Sequence, residues 1–211
     1  MLSDDLRPER LDQVLNQPEA VTYFRNWLRT DGARGTPTSF LITGPTGSGK
    51  TTLSQVLAHE LGCDPFWGIE TVMSRKCTLE ELDRVDAWLG LSSGGGSRWK
   101  VLQIDEAHTM TNAAKDAWLS MLERLPPYRV VAFTSTEPTA FDLIWRTRCV
   151  LVNLKPHSRA GLVELLRGAC SRLGLTLGEQ DLAAIAAESQ GSAREALQLL
   201  GQSLTLAGVE A

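Results

Sequence analysis

Residues 44–52 read GPTGSGKTT, Gly44 to Thr52, and this stretch decides the fold. A glycine, four intervening residues and then Gly49-Lys50-Thr51 match the spacing G-x-x-x-x-G-K-[ST]. Before it, TSFLIT (38–43) is an apolar run that predicts a buried strand; after it, Leu53, Val56, Leu57 and Leu61 recur at helical spacing. Gly44, Gly47 and Gly49 let the backbone wrap an anion and present successive N–H donors, with Pro45, Thr46, Ser48 and Thr52 completing the loop. The helix N-terminus adds partial positive charge. Lys50 is placed to reach terminal phosphates, and the Thr51 hydroxyl to coordinate Mg²⁺. The competing reading is a chance glycine-rich turn; the strand before it and the helix after it weigh against that.

A loop of this kind implies nucleotide binding, and hydrolysis needs more. VLQIDEAH (101–108) supplies it: Asp105 ends a second predicted strand, beside the metal, and Glu106 is placed to polarise a water toward the γ-phosphate. A surface acidic pair at a strand end is the bland alternative. His108 is read as a neighbouring polar residue, since the carboxylate already fills the role of base. The four letters DEAH also label a helicase class, but the chain has no second helicase core.

ETVMS, RVVAFTST and CVLVNL complete the predicted strands. Pro18 marks a helix start for EAVTYFRNWLRT, which DGARGTP should break. Thr78 opens TLEELDRVDAWLGL with an acidic residue three positions on, a capping-box pattern. SSGGGS reads as a loop, and TNAAKDAWLSMLERL as a helix ended by Pro126-Pro127. From Pro156 the β-branched runs stop and three helices follow. The expected class is α/β: a parallel sheet flanked by helices over residues 1–155, then a small three-helix lid over residues 156–211.

The 211 residues are 43% apolar with a net charge of −4. That excludes a global basic field, so any nucleic-acid contact must come from a local patch. No apolar run reaches the ~20 residues needed to cross a bilayer, and MLSDDLRPER has no secretory core. A soluble, cytoplasmic chain without a membrane partner is expected. Cys63, Cys77, Cys149 and Cys170 form no C-x-x-C pair, so reduced, mostly buried thiols are expected rather than zinc ligands.

With these motifs in this order, the chain resembles AAA+ ATPases, and among them clamp-loader subunits related to the gamma/tau subunit of bacterial DNA polymerase III. The resemblance runs almost end to end. It implies an AAA+ P-loop NTPase core that binds ATP with Mg²⁺, and it places Arg7, Pro8 and Val14 in the adenine pocket. TSTEP resembles the sensor-1 turn, with Thr136 near the γ-phosphate. RTRC resembles a serine-arginine-cysteine motif with threonine for serine, making Arg148 a finger that enters a neighbour's ATP site; a salt bridge capping the sheet is the alternative. Arg146 is assigned to the surface, and Cys149 to packing. GSAREALQLLGQ resembles the sensor-2 helix, with Arg194 the lid arginine.

The implied partners are other AAA+ clamp-loader subunits, a sliding clamp and primer–template DNA, in nucleoid-associated replication machinery. DNA contacts would fall near Thr78, Arg75 and Lys76, and near Thr111, Asn112 and Lys115, although simple helix capping explains both threonines. The clamp-facing surface would include Trp88, Leu89 and Leu91. Three features depart from the pattern. GCDPFWG stands where relatives carry a four-cysteine zinc module, so zinc is not carried over. The sequence ends at Ala211, short of a helical collar. LERLPP replaces an LEEPP-like stretch, with Arg124 for a carboxylate. Two other functions fit the same motifs: a low-turnover nucleotide-binding adaptor of a polymerase complex, and another AAA+ replication protein such as a helicase loader.

Overall fold

The computed structural model describes residues 6–93 and 96–206. Gly94 and Gly95 of the predicted SSGGGS loop, like the first five residues, lie outside the described residues. Five strands form one sheet: β1 (Thr38–Thr43), β2 (Ile69–Met73), β3 (Lys100–Asp105), β4 (Arg129–Ser135) and β5 (Val150–Asn153). All neighbours are parallel, in the order β2-β3-β4-β1-β5. Every residue of β4 is buried, the continuous run expected of a central parallel strand.

Side chains alternate across the sheet and fill two cores. Phe40, Ile42, Val101, Val130 and Ala132 pack under α1 (Pro18–Trp27) and α2 (Lys50–Glu60), meeting Phe24, Trp27, Val56 and Leu57. Leu41, Leu102, Ile104, Val131 and Phe133 face α3 (Leu79–Gly90) and α4 (Asn112–Leu122), meeting Val85, Leu89, Trp118 and Met121. A third core joins α6 (Arg159–Arg172), α7 (Glu179–Glu188) and α8 (Ala193–Leu206) through Leu162, Leu166, Leu182, Ala196 and Leu200.

The helix starts follow from their caps. Thr78 accepts from Glu81 N at 3.2 Å and Thr111 from Ala114 N at 3.2 Å, each satisfying an amide with no partner inside its helix. The predicted break at DGARGTP is only partly right. After Trp27 the chain winds on through a wider turn, Leu28–Gly32, and leaves the helical path at Gly35 (φ +75°). One helix was not foreseen: α5 (Leu143–Arg148), capped by Asp142, which accepts from Ile144 N and Trp145 N. Six residues are too few to show a period. What fixes α5 is Trp145, buried with its ring 4.9 Å from that of Phe133.

Two cations are buried where α3 ends. Lys100 Nζ donates to Trp88 O at 2.6 Å and lies over the Trp88 ring. The Arg129 guanidinium donates to the carbonyls of Leu89, Leu91 (2.8 Å) and Arg98 (3.1 Å). Both charges sit at the negative end of the helix, and the carbonyls satisfy them. Leu89 is fully buried and Trp88 packs against the same core, so of the three residues expected on a clamp-facing surface only Leu91 is exposed. Arg129→Ala strands these carbonyls and is expected to cost ~3 kcal/mol. For a chain of this size a thermal melt should record that as a fall of roughly 6–12 °C.

Candidate functional site

The glycine loop follows β1 and ends at Gly49, the N-cap of α2, whose φ of +97° favours glycine. Gly47 (φ +74°) lies so close to Ser192 that a Cβ would overlap that hydroxyl. Its carbonyl accepts from Ala193 N at 3.1 Å, so the loop touches the first residue of α8. Gln17 holds the other side: Nε2 donates to Lys155 O at 2.7 Å and to Ser48 O at 3.4 Å, and Oε1 accepts from Lys155 N at 3.2 Å. Sequence reasoning missed Gln17. The clue was a polar residue immediately before the helix start at Pro18.

Lys50 is buried, with Nζ donating to Gly44 O at 2.8 Å and Pro45 O at 2.9 Å. Burial pushes its pKa down; Glu106 and Asp105 oppose that and Arg194 adds to it. The structure therefore brings Lys50, Asp105, Glu106 and Arg194 into one electrostatic group.

Asp105 is the hub. One carboxylate oxygen accepts from Gln103 Nε2 at 2.9 Å, Thr134 Oγ1 at 2.9 Å and Thr51 Oγ1 at 3.2 Å. Gln103 is itself buried and bonded to Ser54 Oγ at 2.6 Å, which ties α2 to β3. A glutamine inside the apolar run VLQID was the available signal. Thr51 and Asp105 offer two hard oxygen donors side by side, a set that fits Mg²⁺. Among the described residues there is no group of three or more His, Cys, Asp or Glu that could hold a metal ion.

Glu106 takes a left-handed backbone conformation, φ 56° and ψ 43°. This is a strained region for a side-chain-bearing residue and costs on the order of 1–3 kcal/mol. Hydrogen bonds hold it from both sides: its N–H donates to Thr134 Oγ1 at 3.3 Å, and its carbonyl accepts from Ser74 Oγ at 2.7 Å. The carboxylate at this turn is half-exposed.

Thr136 follows β4 but makes no side-chain hydrogen bond among the described residues; its neighbours Thr134 and Ser135 make the polar contacts with the acidic motif. Arg7 is bonded to Gln55 on α2. Val14 packs beside Leu11 and borders an open groove of about 270 Å³ with Asn16, Gln17 and Pro18. Arg148 is elsewhere. Its guanidinium is held by Glu123 at the end of α4, with Nε at 2.9 Å from the carboxylate. Lys115 turns inward to Ala140 O at 3.1 Å, which weighs against a DNA-contacting role for it.

His157 is buried where β5 leads into α6, and neither ring nitrogen has a hydrogen-bond partner among the described residues. Burial pushes its pKa down, and the nearby Ser48 backbone opposes this only in part. A histidine held neutral in the fold contributes stability that is complete above its ordinary value of 6.5. It is lost as pH falls below that value toward the folded one. His157→Leu should lose less thermal stability than the parent between about pH 7 and about pH 5, read as melting temperature against pH. All four cysteines are buried and unpaired. Burial raises the thiols of Cys63 and Cys149 to about 12 and that of Cys77 to about 11, which makes them packing groups rather than nucleophiles.

A parallel sheet in the order β2-β3-β4-β1-β5, with a glycine loop after β1, an acidic pair after β3 and a helical unit touching the loop, defines an AAA+ P-loop NTPase fold. Residues 6–126 match the family described as the Holliday junction DNA helicase RuvB P-loop domain, and the chain belongs to that family.

Among its relatives, the gamma subunit of DNA polymerase III from Buchnera aphidicola is 25% identical, covering 98% of this chain and 61% of the relative. The replication factor C small subunit of Methanoculleus marisnigri is 28% identical over 92% of this chain and 60% of the relative. The gamma/tau subunit of Mycoplasma genitalium is 26% identical over 93% of this chain and 36% of the relative. The chain thus spans less than two thirds of these relatives' length. Among solved structures, the Thermotoga maritima RuvB Holliday junction branch migration motor superposes with a TM-score of 0.78 at 25% identity, covering 97% of this chain and 68% of that one. Among the described residues no helix is long and apolar enough to cross a membrane.

Proposed function

We propose that the chain is an ATP-dependent clamp-loader subunit of a DNA replication machine, coupling ATP binding and hydrolysis to loading a sliding clamp on primer–template DNA. One observation carries the reading: Lys50, Thr51, Asp105 and Glu106 stand together at the loop, which bonds Ala193 next to Arg194, while Arg148, on a short helix held by Trp145, is paired with Glu123. A site with its acidic residues in place and its finger elsewhere calls for a second copy of the fold.

In this reading the loop amides and Lys50 hold the β- and γ-phosphates. Thr51 and Asp105 would hold Mg²⁺, which would supply charge neutralisation at the phosphates. Glu106 takes a proton from the water that attacks the γ-phosphorus, and the bond to the β–γ bridging oxygen breaks, releasing ADP. Arg194 and the three-helix unit from residue 156 sense the nucleotide. Arg7, Pro8 and Val14 line the adenine side. Thr136 reaches the γ-phosphate. Arg148 from a neighbour offsets the developing charge. Arg75 and Lys76 follow Ser74 at the same sheet edge and are exposed, which suits phosphate contact.

The test is steady-state ATP hydrolysis against protein concentration, with and without primed DNA and clamp. A rate per chain that climbs with concentration and rises further with clamp and DNA supports the loader. A low, flat rate indicates the adaptor. Stimulation by a helicase, and not by a clamp, indicates a helicase loader.

A further inference from the structure

We propose that His108 is a positioning residue for Glu106: its Nε2–H holds the carboxylate while Nδ1 is anchored on Ser135 at the end of β4. This rests on the reading of Glu106 as the base. His108 Nε2 lies 3.5 Å from Glu106 Oε2 and 3.9 Å from Glu137 Oε1, and Nδ1 lies 3.2 Å from Ser135 Oγ. The imidazole is largely covered, with its side chain 13% exposed against 46% for Glu106 and 65% for Glu137.

Counting protons fixes the arrangement. The Ser135 hydroxyl accepts from Glu137 N at 2.9 Å and has one hydrogen to give, either to His108 Nδ1 or to Glu137 O at 3.1 Å. If it donates to Nδ1, the neutral ring carries its hydrogen on Nε2, facing Glu106. If it donates to Glu137 O, Nδ1 must carry a hydrogen. A neutral ring would then turn a lone pair on two carboxylates, which is repulsive unless Nε2 is protonated as well. In every favourable state Nε2 carries a hydrogen, within ion-pair distance of Glu106.

The fold gives this donor a role. The Glu106 backbone is held on both sides by Thr134 and Ser74, so the remaining freedom is in its side-chain torsions. Those torsions decide whether the carboxylate points at a water, and His108 lies within ion-pair distance to restrain them. Adjacent residues of β4 therefore serve adjacent carboxylates: Thr134 holds Asp105 directly, and Ser135 holds Glu106 through His108.

Two measurements on the full chain test this. The first needs no turnover: ¹⁵N NMR of the histidine rings, above their titration range, with the His108 signals assigned by their loss in His108→Gln. The Nε2–H tautomer should dominate, and Ser135→Ala should mix the tautomers; a dominant Nδ1–H tautomer overturns the proposal. The second is ATP hydrolysis at the concentration where the parent rate is maximal. His108→Ala should lower kcat about tenfold with ATP affinity within about twofold. His108→Gln, whose amide restores one N–H near Nε2, should recover most of the loss. An unchanged kcat in His108→Ala, equal impairment in both variants, or the same loss in Glu137→Ala overturns it. Glu106→Gln separates the two readings. If it hydrolyses at the parent rate, the base assignment fails and this proposal with it. If it is inactive while His108→Ala is normal, only this proposal fails.

Discussion

Arg148→Ala is expected to leave ATP affinity unchanged and to remove the assembly-dependent part of the turnover, a loss of about 10³-fold or more. The argument begins inside the chain. Arg148 contacts Glu123, not Lys50 or Asp105, so its removal leaves the nucleotide-holding groups in place. An ion pair this exposed contributes only ~0–1 kcal/mol, so the variant should fold and melt like the parent. The γ-phosphate oxygens gain charge in the transition state, and a guanidinium fixed against them stabilises that state without binding the ground state equally. Mixing supplies the decisive measurement. Arg148→Ala added to Lys50→Ala should recover activity, because the first brings an intact loop and the second an intact finger. No recovery at any ratio, together with a parent rate independent of concentration, would show that Arg148 serves its own sheet.

Glu106→Gln should bind ATP as the parent does and lose about 10²–10⁴-fold in kcat, the span a general base contributes. Glutamine keeps the shape and the left-handed turn but cannot accept the proton. The backbone bonds to Thr134 and Ser74 do not involve the carboxylate, so the turn should persist. Asp105 keeps its three donors, so Mg²⁺-dependent binding should persist too. Equilibrium binding of a fluorescent ATP analogue beside single-turnover hydrolysis separates the two effects. Normal hydrolysis would mean that another group takes the proton. Weakened binding would mean that Glu106 holds the nucleotide rather than the water.

Arg148 and Glu106 also show how differently parts of the site could be read. GPTGSGKTT joins a turn to a helix start directly after the strand TSFLIT, and VLQIDEAH runs from a strand into a turn, each holding its reacting residues within fewer than ten positions, so local pattern carries their geometry. Arg148 stood out only through resemblance, because the helix presenting it is six residues long and is set by Trp145 against Phe133, far apart in sequence. Resemblance alone puts Trp88 and Leu89 on a clamp-facing surface, although an apolar helical stripe is more often core than interface. Buried cations settled it, since Lys100 and Arg129 draw the end of α3 into the core. Gln17 and Gln103 left only faint signals, a polar residue before a helix start and one inside an apolar run, because a single glutamine has no periodicity.

By itself the sequence determined the phosphate loop, the acidic pair, the strands that alternate with helices and the helical run after Pro156. Each depends on neighbours within a turn or a strand, where sterics and hydrogen-bond geometry act over a few residues. Only the tertiary structure decided the strand order, the three donors on Asp105, the imidazole between two carboxylates and the pairing of Arg148 with Glu123. Those contacts join residues from 2 to 54 positions apart, and most of them exist only because the sheet places the ends of β1, β3 and β4 side by side.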